Sequence, residues 1–209
     1  MIKKLLVRLK RRPEVYPSTE PLSLLTSHRL ERGSSYLVKD QRSDGGLEIF
    51  RSLVTGRCID CDQSEAFSCE SIGCEGCTLS CPCRGCKEVR AQGLCLTIRA
   101  PEEIRRKYTL QTTPILWISN YGTESISPSN LELLAETIIK FLRRSRNPVV
   151  FLDGIEYLIV ANGFPSVMRF LKDVQDWVIL NNAVFLIPIN PLAMDKRELA
   201  IVERIMEML

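Results

Sequence analysis

Histidine is nearly missing. His28 is the only one in 209 residues, so a metal site in this chain has to be built almost wholly from thiolates. Long apolar runs are missing too: the longest, such as Ala183 to Ile189, fall far short of the roughly 20 residues needed to cross a bilayer. No membrane-spanning segment is expected. Between Lys3-Lys4 and Arg8 only Leu5-Leu6-Val7 intervene, which is too short an apolar stretch for a secretory signal, so the expected location is cytoplasmic. Acid is absent from the first twelve residues, which hold Lys3, Lys4, Arg8, Lys10, Arg11 and Arg12. The remainder of a chain whose total charge is +3 therefore carries −3. This is a local basic arm rather than a basic face, and nucleic acid is not an expected partner.

With 45% hydrophobic and 25% charged residues, the chain can bury one sizeable core and a small satellite, not two full domains. Apolar runs alternate with helix-period stretches, the pattern of βα units around a parallel sheet. Five strands are expected, at Tyr36 to Val38, Leu94 to Ile98, Ile115 to Ile118, Val149 to Leu152 and Ala183 to Ile189. The first helix opens at Asp44-Gly45-Gly46, carries Leu47, Phe50, Leu53 and Val54 on one face, and closes at Gly56. A second follows Pro101. A third is expected to begin at Ser127-Pro128, with Ser129 and Glu132 as a capping box and Leu131, Leu134, Ile138 and Leu142 as its stripe. A fourth bears Val167, Phe170, Leu171, Val174 and Trp177, and a last one starts at Asp195 with Glu198.

Strands that are apolar on both faces imply helices on both sides, hence a three-layer α/β fold. Ligands of such sheets bind beyond the carboxyl ends of the strands. Those ends supply Asp40, Arg99, Ser119, Asn120, Asp153, Glu156 and Asn190; Asp153, Glu156 and Asn120 are the candidate lining of a strand-end pocket.

Cysteine is the unusual abundance. Eight of nine lie between residues 58 and 86, inside a thirty-seven-residue connection from Arg57 to Gly93 where about 2–6 would be ordinary. Its few apolar side chains could hardly offset roughly 1–2 kcal/mol of backbone entropy per fixed residue. Metal could, since structural zinc contributes on the order of 10–16 kcal/mol in finger peptides. Cys58 with Cys61, Cys74 with Cys77, and Cys83 with Cys86 are chelating pairs two residues apart, and Cys69 and Cys81 complete the eight. Eight thiolates make two tetrahedral sites, or one site with spares. Zinc is the expected ion. An iron–sulfur cluster is the alternative, because Cys74, Cys77, Cys81 and Pro82 match the end of a ferredoxin run, although Ser71 stands where its first cysteine would be. A reversible thiol switch is a third reading. Cys95, inside an apolar strand, is expected to be a small buried hydrophobe. The chain thus divides into a basic arm and linker at 1–34 and an α/β domain at 35–209 interrupted by the insertion at 57–93.

The run from Val149 through Asp153-Gly154-Ile155-Glu156 to Ile159, then Asn162-Gly163-Phe164 and Arg169-Phe170-Leu171, resembles the archaeal family catalogued as domain of unknown function 835. So do Thr113 to Ser119 and Ile126-Ser127-Pro128. The resemblance covers about residues 34–209, the cysteine segment excepted. It implies a RecA-like, circadian-clock-type ATPase fold that has lost its nucleotide machinery and accompanies signalling modules. Family members join the first helix to the second strand briefly, which marks the cysteine segment as an insertion.

A phosphate loop needs glycines followed by Lys and Ser or Thr. This chain has Lys39-Asp40-Gln41-Arg42-Ser43-Asp44-Gly45-Gly46 there, and its two aspartates would repel phosphate. The expectation is a non-enzymatic signalling or scaffold protein whose zinc-bound insertion docks a protein partner. The alternatives are an iron–sulfur electron-transfer module, or a nucleotide-binding protein using Asp153 and Glu156. A bland role for Asp153-Gly154 is a turn with a local side-chain bond.

Overall fold

The computed structural model describes residues 30–55, 91–122 and 125–209. The basic arm, Gly56 and the eight clustered cysteines lie outside these residues. The described chain runs β1 (Ser34–Lys39), α1 (Asp44–Thr55), β2 (Gln92–Thr97), α2 (Pro101–Tyr108), β3 (Ile115–Ile118), β4 (Ser125–Ile126), α3 (Leu131–Arg144), β5 (Pro148–Leu152), α4 (Ile155–Asn162), α5 (Phe164–Leu180), β6 (Val184–Ile189), α6 (Lys196–Ile205) and β7 (Glu207–Met208).

The strands form one sheet in the order β4-β3-β2-β5-β6-β1-β7, and every pairing is parallel. Side chains alternate between its faces, as a pleat requires. Leu37, Leu94, Leu96, Val150, Leu152, Phe185 and Ile187 point to one side, where α3, α4, α5 and α6 bring Leu134, Ile138, Leu158, Phe170, Val174 and Val202. Tyr36, Val38, Cys95, Val149, Phe151, Val184 and Leu186 point to the other, against Leu47, Phe50 and Leu53 of α1 and Ile104 and Tyr108 of α2. This is the expected three-layer α/β fold. Cys95 is fully buried with a free thiol, and burial pushes its pKa above the ordinary range, so it is an inert core residue. Among the described residues no helix is long and apolar enough to cross a membrane.

The sheet corrects the expected five strands to seven. β4 and β7 have two residues each, too few to show a period in sequence. β2 also starts two residues before the expected Leu94. The helix expected after Asp153 is two helices, broken at Gly163, which has φ +78° and is followed by a proline at the start of α5. The capping box expected at Ser129 and Glu132 does not form. Asn130 caps α3 instead, its side chain accepting from the Leu133 amide at 3.0 Å, while the Ser129 hydroxyl meets that of Ser127.

β2 leads to β3 on one side of the sheet and β5 leads to β6 on the other. The point between β2 and β5 is therefore where the winding reverses, the place at which ligands of such sheets bind. The opposite, amino edge of the sheet carries the stem of the cysteine segment. The Ala91 amide donates to the Leu53 carbonyl at 3.4 Å, so the described chain leaves α1 and re-enters at β2 on adjacent backbone.

Candidate functional site at the strand carboxyl ends

Asp40 follows β1, and its amide donates to the Ile189 carbonyl of β6 at 3.0 Å. Its carboxylate turns back onto the start of α1. One oxygen accepts from the Arg42 amide at 3.0 Å; the other accepts from the Gly45 amide at 2.6 Å and the Gly46 amide at 3.2 Å. The first-turn amides of a helix have no intrahelical partner and carry its positive pole, so this is the place an anion would sit. Here the chain fills it with its own carboxylate. A Cβ at position 45 would stand 3.2 Å from that oxygen, which is why glycine suits the close approach.

Ser43 adopts a left-handed φ of 59° and its carbonyl starts α1 by accepting from the Leu47 amide at 3.0 Å. Its hydroxyl donates to Asp153 Oδ1 at 2.7 Å. Thr97, at the end of β2, donates to the other Asp153 oxygen at 2.8 Å and accepts from the Arg99 amide at 3.0 Å. Asp153 is only 4% exposed, and its amide donates to the Leu96 carbonyl at 2.8 Å. Rather than making the local bond of the bland turn reading, its side chain joins β1–α1, β2 and β5 at the winding reversal. Gly154 next to it has φ +94°.

Beside this lies an ionic cluster. One oxygen of Asp44 accepts from Arg99 at 3.0 Å, Lys107 at 2.9 Å and the Tyr108 hydroxyl at 2.6 Å, and Arg99 also pairs with Glu103. The bonds from Tyr108 and Lys107, then Arg99, hold the Asp44 carboxyl well below the usual range. Tyr108 shifts the other way, raised by burial and by the adjacent carboxylate. These bonds fasten α1 to α2.

Glu156 does not join Asp153. Its carboxylate accepts from the Asn190 amide at 2.7 Å and ties α4 to the loop after β6. Asn120 stands further along the edge, where its side-chain oxygen accepts from the Ser127 hydroxyl at 2.7 Å. Of the candidate trio, then, each member has a separate partner. Ser43, Thr97, Lys107 and Tyr108 are the site residues that sequence reading missed. Among the described residues no group of three or more His, Cys, Asp and Glu side chains could hold a metal ion.

The Asp153 carboxyl has a raised pKa because burial outweighs the bonds from Ser43 and Thr97 and the field of Arg99, and Asp40 adds to the rise. The folded chain thus holds that proton to higher pH than the unfolded chain, whose aspartate titrates at about 3.9. Stability from this group is present below that value and is lost as pH rises through the folded one. Asp153→Asn lacks this dependence. In urea denaturation between about pH 4 and pH 7, the variant should gain on the native protein as pH rises. A constant difference would refute the raised value.

The sequence model of a family described as "Protein of unknown function (DUF835)" matches residues 84–206, more than half the chain and every element from β2 to α6. The chain belongs to that family. Among curated proteins none matches it. Within this DUF835 chain, Thr97, Arg99, Asp153, Glu156 and Asn190 fall inside the matched stretch. Asp40, Ser43 and Asp44 precede it, as β1 and α1 do, so the match is narrower than the resemblance read from residues 34–209.

Proposed function

We propose that this protein is a non-enzymatic signalling or scaffold protein. In this reading it is a degenerate RecA-like domain without a phosphate loop, and its cysteine insertion binds structural zinc and presents a surface to a protein partner in the cytoplasm. The observation that carries the reading is the Asp40 carboxylate seated on the amides of Arg42, Gly45 and Gly46. A nucleotide phosphate would have to displace a covalently tethered anion and then sit beside Asp153 and Asp44. The stem supports the second half. A segment whose ends already meet at Leu53 and Ala91 can be ordered by its own ligands without help from the sheet.

Two measurements test it. Titration calorimetry with magnesium-ATP should give no binding heat; saturable binding would favour the nucleotide-binding alternative instead. Protein purified anaerobically should be colourless and hold one to two zinc ions per chain. Absorption at about 400 nm would favour the iron–sulfur alternative, and a metal-free protein would end both.

A further inference from the structure

Ser43 stands at a turn from strand to helix, between β1 and α1, on the edge of the sheet where ligands of such folds bind. Its φ of 59° is one that residues with a side chain rarely adopt. A serine on a strained strand-to-helix turn presents its hydroxyl above the sheet, the device that exposes a nucleophile in other α/β proteins. Of the residue pattern that goes with the device, this chain keeps only the glycine two places on, Gly45.

The partners of Ser43 complete the chemistry. Its hydroxyl donates to Asp153 Oδ1 at 2.7 Å, and the Thr97 hydroxyl holds the other oxygen at 2.8 Å. A hydroxyl bonded to a base, with that base oriented by a third group, is the arrangement that activates a nucleophile. Asp153 is buried and Ser43 only half-buried, so the base is shielded while the acceptor can be reached. Burial also raises the pKa of the Asp153 carboxyl, which makes its ionised form a stronger base than an ordinary carboxylate.

The surroundings select the electrophile. A phosphoryl donor would bring negative charge among Asp40, Asp44 and Asp153, whereas an acyl carbon is neutral. Charge then develops on the acyl oxygen and needs a donor. Asp40 takes the amides of Arg42, Gly45 and Gly46 but not that of Asp44, the amide directly after Ser43. That is the amide which serves an oxyanion on such turns.

We infer that Ser43 is a covalent acceptor of an acyl group from a thioester, with Asp153 as its general base. The Ser43 oxygen bonds to the acyl carbon and the carbon–sulfur bond breaks. The hydroxyl proton passes to Asp153 Oδ1 and on to the departing thiolate, which leaves as the thiol. Acylated Ser43 can no longer donate to Asp153, so the modification releases one fastening of α1. One acyl group per chain is a modification rather than turnover. It goes beyond the scaffold role and is independent of the metal content.

Incubation of the full chain with N,S-diacetylcysteamine, a neutral acetyl thioester, tests it, read by mass spectrometry of the digested protein. Hydroxylamine removes esters and leaves amides, which separates Ser43 from acetylated lysines. Ser43 should acetylate about 10²-fold faster than Ser129, an exposed serine whose hydroxyl meets that of Ser127. Asp153→Asn, which keeps the shape of the side chain, should bring Ser43 down to within about threefold of Ser129. Acetylation of Ser43 no faster than that of Ser129 in the native protein overturns the inference, whether or not the variant folds. Equal rates at Ser43 in the native protein and the variant overturn it as well. Neither outcome alters the zinc or magnesium-ATP measurements.

Discussion

Phe151→Ala is expected to lower the free energy of unfolding by about 3–5 kcal/mol, the range for removing a large aromatic ring from a packed core. Phe151 is fully buried on β5, a central strand, and faces α1. Its ring centroid is 5.5 Å from that of Phe50, tilted by 39°, a favourable aromatic arrangement. On the other side it reaches the helix backbone so closely that a Cβ on Gly46 would lie 3.1 Å from the ring. The cavity left by alanine cannot be closed by sliding α1 inward. The amino end of that helix is held by Asp40, Asp44 and Ser43, and near its far end Phe50 and Val54 already press on Gly93. Since a domain of this size has about 5–15 kcal/mol in total, that loss removes a large share of its stability. The check is the shift of the urea midpoint at constant m. A loss below about 1 kcal/mol would mean that α1 moves as freely as a surface helix.

Gly154→Ala should be the next most damaging change, at about 2–3 kcal/mol, from two separable causes. The backbone at φ +94° is strained for any side chain, and the new Cβ would stand 2.4 Å from Cγ2 of Ile98. Ile98 is 41% exposed and can be truncated without opening the core. In the double variant with Ile98→Ala the steric part disappears while the conformational part, about 1–2 kcal/mol, remains. Thermal unfolding of both variants separates the two. Strictly additive losses would show that the contact contributes nothing.

The layered α/β fold was legible because five strands are apolar on both faces, and only a sheet covered on both sides asks for that. Two kinds of feature escaped. β4 and β7 borrow their strand character from Trp117, Ile118, Tyr36 and Leu37 of their neighbours, so nothing local announces them. The break before α5 was announced, by Gly163 with Pro165 beyond it, but the apolar period runs through the break and masked it. At α3, Asn130 and Ser129 are equally good caps by type, and only the geometry selects the asparagine.

The site was legible as a row of strand-end polar residues and no further. The charge of Asp40 that repels phosphate is plain in the sequence, but the three amides it satisfies are not. Ser43 and Thr97 reach Asp153 across 110 and 56 residues of chain, and a hydroxyl carries no mark of so distant a partner. Asp44 is visible in sequence as the opening of a helix and as a charge that would repel phosphate, whereas its partners Arg99, Lys107 and Tyr108 arrive from the far side of the cysteine segment.

The hydrogen bond between Ala91 and Leu53 bears on how such a chain can change over generations. A loop that opens and closes on the same spot can double in length for about 0.6 kcal/mol of closure entropy, and its growth shifts no strand against its neighbour. Sheet and appendage are in that sense separate inheritances: the appendage can be enlarged, pruned or exchanged for a tight turn while the body beneath it keeps every register.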